Sequence, residues 1–423
     1  MTNILILGNG FDLAHHLPTK YDDFLGFSQR LLYVYTLSTS CKLSEYITHH
    51  LDTWTDGSEY LKDQLISIFD RRITNTFYAV AKVDEKMDAF RNLIVNNVWF
   101  HYFVTISTTS TTRPEKLIRG ENWIDFESEI SFVVQHLDTN FEDIEERIFV
   151  ENILNQLVSQ TSKGSTKNLA YFNDLKLLEF YRTCRTHCKD VIKDDSIKLR
   201  SLRDHLYNDL EDLISAFDFY LTEFVEKIPI KEKVSFVEKA DPSYVISFNY
   251  TKTFEKQYPL IASHGTILPH VARICHVHGT ISEQDETADT INCLESNIVI
   301  GIDEYLETPE DQAKRTNFAV FKKFIQRIRK QNDLEYVDWL EEVEKHNPKD
   351  TPIAVYIFGH SLNITDKEIL EPFLKSDNTY LHIYARDKAS EGSLVSNLIT
   401  IIGREAVIKK SKAGEIVFER SSR

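Results

Sequence analysis

Sulfur is scarce in this chain, with five cysteines and two methionines in 423 residues. The cysteines (Cys41, Cys184, Cys188, Cys275 and Cys293) form no even, closely spaced framework. That excludes a disulfide scaffold and points to a reducing compartment, the cytoplasm. Cys184-Arg185-Thr186-His187-Cys188 has no second Cys/His pair at zinc-site spacing, so it reads as two reduced thiols on a helix and no metal is expected. Positive charge is short as well. Lys and Arg number 49 against 65 Asp and Glu, and the formal net charge of −16 argues against general attraction to nucleic acid. The local basic run Phe321-Lys322-Lys323-Phe324-Ile325-Gln326-Arg327-Ile328-Arg329-Lys330 reads as the solvated face of a helix. Long apolar runs are missing too. The opening Met1-Thr2-Asn3-Ile4-Leu5-Ile6-Leu7-Gly8 has no basic leader, and its apolar stretch is too short for a signal peptide or a membrane span. With 42% hydrophobic residues, what remains is an ordinary globular composition able to bury a sizeable core. The length favours two domains, or one core carrying an insertion.

Residues 3–7 are apolar at nearly every position and stop at Gly8-Asn9-Gly10, the pattern of a parallel strand buried on both faces. From about residue 21 to residue 228, periodicity of 3.6 dominates. Its clearest stretch is Leu199, Leu202, Leu206, Leu210, Leu213, Phe217, Leu221, Phe224 and Ile228, which predicts an amphipathic helix of about eight turns ended by Pro229. Residues 89–104, 126–136 and 149–157 also read as helices. After Asp241-Pro242 the character returns to strand, in short β-rich runs at 243–248, 273–277, 297–300, 353–358 and 380–384. Their spacing implies crossover units and a mostly parallel sheet. Residues 406–409 and 415–419, on either side of Ala413-Gly414, read as a terminal hairpin. The economical architecture is an α/β core from residues 1–30 and 240–423, interrupted by a helical insertion over residues 31–239.

Chemistry concentrates where these runs end. Gly8-Asn9-Gly10-Phe11-Asp12 stands at a strand-to-helix turn, where glycines admit a close phosphate and helix-start amides favour an anion. Ser247-Phe248-Asn249-Tyr250-Thr251, His276-Val277-His278-Gly279 and Gly359-His360-Ser361-Leu362 (with Asp366 beyond) close three further strands. Ligands of open parallel sheets sit at the carboxyl ends of strands, so four such ends predict one site. His278 is its titrating group near neutral pH. His276 reads as a hydrogen-bonded core histidine turned to the other side. Asn249 offers a donor and an acceptor without charge. Asp12 and Asp366 can accept from ribose hydroxyls or cap helices. Asp125 and Glu127, two apart, do not share a helix face and read as acids at a helix start.

Taken together, Ile6-Leu7-Gly8-Asn9-Gly10-Phe11-Asp12-Leu13-Ala14, Leu17-Pro18-Thr19-Lys20-Tyr21, Trp123-x-Asp125-x-Glu127, Ser247 to Thr251, His276 to Gly279, Phe321-Lys322-Lys323 and Phe358 to Leu362 resemble the AbiH family, associated with bacterial abortive infection against phage. A fainter similarity links the chain to sirtuins and sirtuin-like NAD hydrolases. Gly8 to Leu17-Pro18 keeps the spacing from their first glycine to their Ile-Pro. Their Gln-Asn segment resembles Phe248-Asn249, their catalytic His-Gly resembles His278-Gly279, and their Gly-Thr-Ser-Leu turn resembles Gly359-His360-Ser361-Leu362. The chain departs from them at Thr251, where sirtuins carry Asp, and at Lys20-Tyr21, where they carry Phe-Arg. It also lacks their zinc cysteines.

The resemblance implies a Rossmann-like, sirtuin-like pocket for a dinucleotide such as NAD. Asn249 would position a water or the nicotinamide ribose, and His278 would act as general base. Gly8, Asn9, Gly10, Phe11 and Asp12 would hold phosphates, with Gly359, His360, Ser361 and Asp366 at the other ribose. Two functions remain open at this level. One is an antiphage effector hydrolysing NAD to nicotinamide and ADP-ribose. The other is a non-enzymatic nucleotide sensor whose helical insertion meets a partner protein or a phage-derived trigger.

Overall fold

The computed structural model describes residues 3–37, 42–54, 57–77, 85–108, 124–141, 143–163, 169–258, 273–281, 296–303, 316–332, 334–346 and 352–420. Trp123, Cys41 and Cys293 lie outside them. Internal contacts divide the chain into two units. Met1–Thr19, Val225–Ile281 and Arg327–Arg423 form a sheet unit, while Lys20–Phe224 and Ser282–Gln326 form a helical unit. The helical unit thus begins at residue 20 and ends at 224, against the expected 31 and 239, and it also takes in residues 282–326, expected with the sheet.

The sheet unit carries six strands: β1 (Asn3–Leu7), β2 (Tyr244–Ser247), β3 (Arg273–His276), β4 (Ile353–Phe358), β5 (Thr379–Ala385) and β6 (Ile416–Arg420). Every pairing is parallel, and the spatial order is β3-β2-β1-β4-β5-β6. Successive strands are laid down outward from β1 to one side, and the chain then returns to build the other side from β4. The order therefore reverses between β1 and β4, and a crevice opens beyond the carboxyl ends of strands at such a reversal.

Both sheet faces are covered, which explains the unbroken apolar run of β1. Ile4 and Ile6 enter one cluster with Ile246, Val277 and Val355, closed by Trp339 of α4 (Tyr336–His346), Ile369 and Phe373 of α5 (Lys367–Lys375) and Leu398 of α6 (Lys388–Ile402). Leu5 and Leu7 point the other way. They meet Phe11 of α1 (Gly10–Ala14), Phe236 of α2 (Ser235–Ala240) and Phe254 of α3 (Thr253–Gln257). Alternate side chains of a strand leave opposite faces, so all four must be apolar. Cutting Ile6 back to Ala should cost roughly 2–5 kcal/mol.

In the helical unit, Leu199–Glu223 buries the expected Leu and Phe ladder from Leu199 to Leu221. It stops about a turn early, and a 3-10 turn at Val225–Lys227 follows before Pro229. The single helix expected over 89–104 is two helices, Glu85–Ile94 and Val98–Thr108. Asn97 causes the break. Its side-chain oxygen accepts from the Phe100 amide at 3.0 Å, so it starts a new helix rather than continuing the old one. Asp125 begins Phe126–Asn140 by accepting from the amides of Glu127 and Ser128, as its position suggested. A small antiparallel pair, Arg147–Phe149 with Ser196–Lys198, was not foreseen.

Three further expectations need correction. Residues 297–300 are buried but form no strand; their neighbour Ile302 makes only an isolated bridge to Lys322. The terminal hairpin does not exist. Arg404–Ala413 is a helix closed by Gly414, and β6 returns parallel to β5. The basic run is not a solvated face either. Lys323 and Arg327 are buried, each against a carboxylate (Glu127 at 2.6 Å and Glu368 at 3.1 Å), while Phe324 and Ile328 are exposed.

Candidate functional site

The four marked strand ends, β1, β2, β3 and β4, lie side by side in the sheet. The loops after β1 and β4 interlock. Gly10 N–H donates to Gly359 O at 2.9 Å, Gly8 N–H to Phe358 O at 3.1 Å and Phe11 N–H to Gly8 O at 2.8 Å. A Cβ on Gly10 would stand 2.6 Å from the Gly359 Cα, and Gly359 has φ +71°, so both positions require glycine for this backbone crossing. The expected role of these glycines is phosphate binding. Here the amides of Gly8, Gly10 and Phe11 are already engaged within the protein. The Phe11 ring is also committed, packed against His15, Tyr258 and Phe358. Asn9 is exposed, and its side-chain oxygen accepts from the Thr19 hydroxyl at 2.6 Å.

On the β4 side, Asp366 is the organising group. It does not cap α5. Its two oxygens face two imidazoles instead, His278 Nε2 at 3.1 Å and His360 Nε2 at 3.4 Å. The Leu362 amide donates to His360 Nδ1 at 2.9 Å, which fixes the His360 proton on Nε2, toward the carboxylate. With its own proton on Nε2 toward Asp366, His278 has Nδ1 as its basic nitrogen, the geometry of a carboxylate-oriented general base. The Phe248 ring lies edge-on to both imidazoles, centroids 5.4 and 4.2 Å away, and keeps their flank apolar. Leu362, buried with φ +55°, holds the turn in a left-handed conformation that costs an ordinary side chain about 1–2 kcal/mol. Such strain concentrates at functional turns. Ser361 is exposed, and its carbonyl accepts from the Asn397 side chain at 2.8 Å.

Between these loops, Asn249 is 4% exposed, and neither its side-chain oxygen nor its nitrogen makes a hydrogen bond. Its backbone is held firmly. His276 Nδ1 meets the Asn249 carbonyl at 3.0 Å, and His276 Nε2 pairs with Glu255 at 2.7 Å. Burial pulls the His276 imidazole down, but Glu255 and the carbonyl outweigh it and hold the pKa above 6.5. Asn249 and His278 each stand two residues beyond the register pair Ser247 and His276, so both follow the carboxyl ends of adjacent strands.

Asp12 is buried, and both its oxygens accept from the Thr251 hydroxyl, at 2.9 and 2.8 Å. Burial raises its pKa to about 6, against the lowering effect of Thr251, Thr253 and His276. Thr251 is thus the partner of a carboxylate delivered from the β1 loop. In the sequence, Phe248 and Thr251 lie in the marked run without a role and nothing points to Glu255, because their partners come together only once the sheet is assembled.

The residues matching a family model for bacteriophage abortive infection AbiH run from 4 to 383, from β1 to the end of β5. The chain belongs to the AbiH family. No curated protein and no solved structure matches it. Among the described residues of this AbiH chain, no helix is long and apolar enough to cross a membrane, and no cluster of three His, Cys, Asp or Glu side chains is arranged to hold a metal ion.

Proposed function

We propose that the carboxyl edge of this AbiH sheet is a Rossmann-like, sirtuin-like pocket that binds a dinucleotide such as NAD and hydrolyses it to nicotinamide and ADP-ribose, as a cytoplasmic antiphage effector. One observation carries the reading, the Asn249 side chain. Two buried, unbonded polar atoms cost roughly 1–3 kcal/mol each, and nothing in the fold recovers that cost. A ligand with hydroxyls and a carboxamide does, because Asn249 can donate to one group and accept from another. His278, oriented by Asp366, supplies the base beside it. In the reaction, the ribose–nicotinamide C–N bond breaks and its electron pair returns to the pyridinium ring. A water oxygen bonds to the anomeric carbon, and the water's proton passes to His278. The strand order supports the reading, since nucleotides bind at this kind of reversal point in parallel sheets. Thr251 stands where sirtuins carry Asp, and Asp12 brings a carboxylate to that same spot.

The test is nicotinamide release from NAD by the purified protein, alone and with phage lysate as a source of trigger. Release by the wild type and its loss in His278→Ala support the reading. Absence of release in both conditions rejects hydrolysis. A second reading, a nucleotide sensor, is favoured by the engaged amides of Gly8, Gly10 and Phe11, which leave the β1 turn without a free phosphate cradle. Saturable NAD binding without release of nicotinamide would select it.

A further inference from the structure

A buried cation needs an anion or a full set of hydrogen bonds to offset its lost hydration. Arg327 has neither in full. It is 5% exposed. Nη2 lies 3.1 Å from Glu368 Oε2, a carboxylate whose own side chain is 69% exposed, while Nε and Nη1 are buried without a hydrogen bond. Asn332, whose backbone amide donates to Arg327 O at 3.0 Å, adds a carboxamide with both polar atoms buried and unbonded. The Tyr336 side chain meets the Arg327 guanidinium as well.

This cluster adjoins the site. Glu368 stands two residues beyond Asp366, the carboxylate between the two histidines, in the first turn of α5. Tyr336 shares an apolar cluster with Phe248, Val277 and Leu362, which contact or flank His278 and His360. Nη2 is taken by Glu368, and the unbonded Nε and Nη1 lie on different edges of the planar guanidinium, so each offers a separate charge-assisted donor to an oxygen of a phosphate or carboxylate. A neutral carbonyl or hydroxyl could take one of those donors but would leave the charge unanswered.

We propose that Arg327, flanked by Asn332 and Tyr336, is an oxyanion site that takes a phosphate group. If the pocket reading above is right, that group is the diphosphate of the bound nucleotide. The site gives the phosphates a contact other than the β1 glycine turn, whose amides are occupied.

The experiment compares wild type, Arg327→Met, Arg327→Lys and Glu368→Gln by thermal melting and calorimetric titration with inorganic phosphate, pyrophosphate and ADP-ribose. Without ligand, Arg327→Met should melt at the wild-type temperature or about 2–4 °C above it, because unmet buried donors are removed. An arginine kept only for its ion pair predicts a lower melting temperature in both Arg327→Met and Glu368→Gln. Pyrophosphate and ADP-ribose should stabilise the wild type. Arg327→Met should weaken both by about ten- to a hundredfold, with Arg327→Lys between them and Glu368→Gln binding more tightly than wild type. Arg327-dependent binding of phosphate or pyrophosphate with no binding of ADP-ribose keeps the oxyanion site and removes the nucleotide reading. ADP-ribose binding equally to wild type and Arg327→Met overturns the inference and leaves that reading standing. If no probe shifts any variant, the inference is also overturned. Should Arg327→Met not fold, the Arg327→Lys and Glu368→Gln titrations decide alone.

Discussion

Two buried asparagines, one in each unit, use their side chains differently. In the helical unit Asn97 uses its whole side chain. Its nitrogen donates to the carbonyls of Leu93 and Asp209, and its oxygen accepts from Phe100 N–H. Nearby, Asp209 accepts from the Val98 amide at 2.6 Å and the Trp99 indole donates to Leu206 O at 2.7 Å. Those bonds fasten Val98–Thr108 to Leu199–Glu223. In the sheet unit, Asn249 and Arg327 are as deeply buried and leave atoms unbonded. The first arrangement stabilises a fold, whereas the second costs stability and suits a ligand. Burial alone does not separate the two; the accounting of donors and acceptors does.

The contrast can be broken by substitution, beginning with the largest effect. His278→Ala and Asn249→Ala should each lower nicotinamide release by about a hundred- to ten-thousandfold, with melting temperatures close to wild type. A folded, fully active His278→Ala would reject that base while keeping the enzyme. Asp12→Asn sharpens the comparison through pH. A carboxyl whose pKa rises from 3.8 to about 6 on folding carries a penalty of up to about 3 kcal/mol once ionised. Its favourable contribution is complete below pH 3.8 and is lost as pH rises through about 6. Asp12→Asn should therefore gain melting temperature over wild type at pH 7.5 and much less at pH 4.5. A gain that does not change with pH would refute the buried-carboxyl account.

Asn97→Ala should do the reverse of the site variants. It should cost roughly 1–3 kcal/mol in a denaturant melt, with turnover per folded molecule unchanged. If turnover fell with stability, the division between the two kinds of polar burial would fail. The smallest effect is expected of His276→Ala, which releases the Asn249 carbonyl. Because the His276 pKa is raised on folding, its stabilisation is present below pH 6.5 and fades as pH rises above the folded value. Melting curves should show a larger loss at pH 6 than at pH 8.5, and turnover should drop less than in Asn249→Ala.

Much of this was legible in the sequence. Five of the six sheet strands announced themselves as short β-rich runs, four of them ending in Gly, Asn or His, because strands buried on both faces are mostly apolar. β6 is legible too, at 415–419, but as one arm of a hairpin: the other arm, 406–409, lies in the helix Arg404–Ala413, short and charged enough to read as a strand beside a turn, and β6 pairs with β5 instead. Residues 297–300 were misread for the opposite reason, since an apolar run shows burial without showing pairing. In the site, single residues could be chosen but not their partners. Asp366 looked equally able to cap a helix, and its two histidines, one of them 88 positions away, appear only in three dimensions. Arg327 was hidden inside a basic run whose charges suggested solvent.

The central place of β1 carries a consequence for how the protein is made. β1 emerges first, yet its neighbours are β2, beginning at residue 244, and β4, beginning at residue 353. At bacterial and eukaryotic synthesis rates, the strand waits on the order of tens of seconds with both edges open. A nascent chain in that state offers an apolar, unpaired template that a chaperone must shield. It also lacks the assembled sheet edge, because the Gly10–Gly359 crossing cannot close until residue 359 has left the ribosome. A chain interrupted before that point never acquires this crossing.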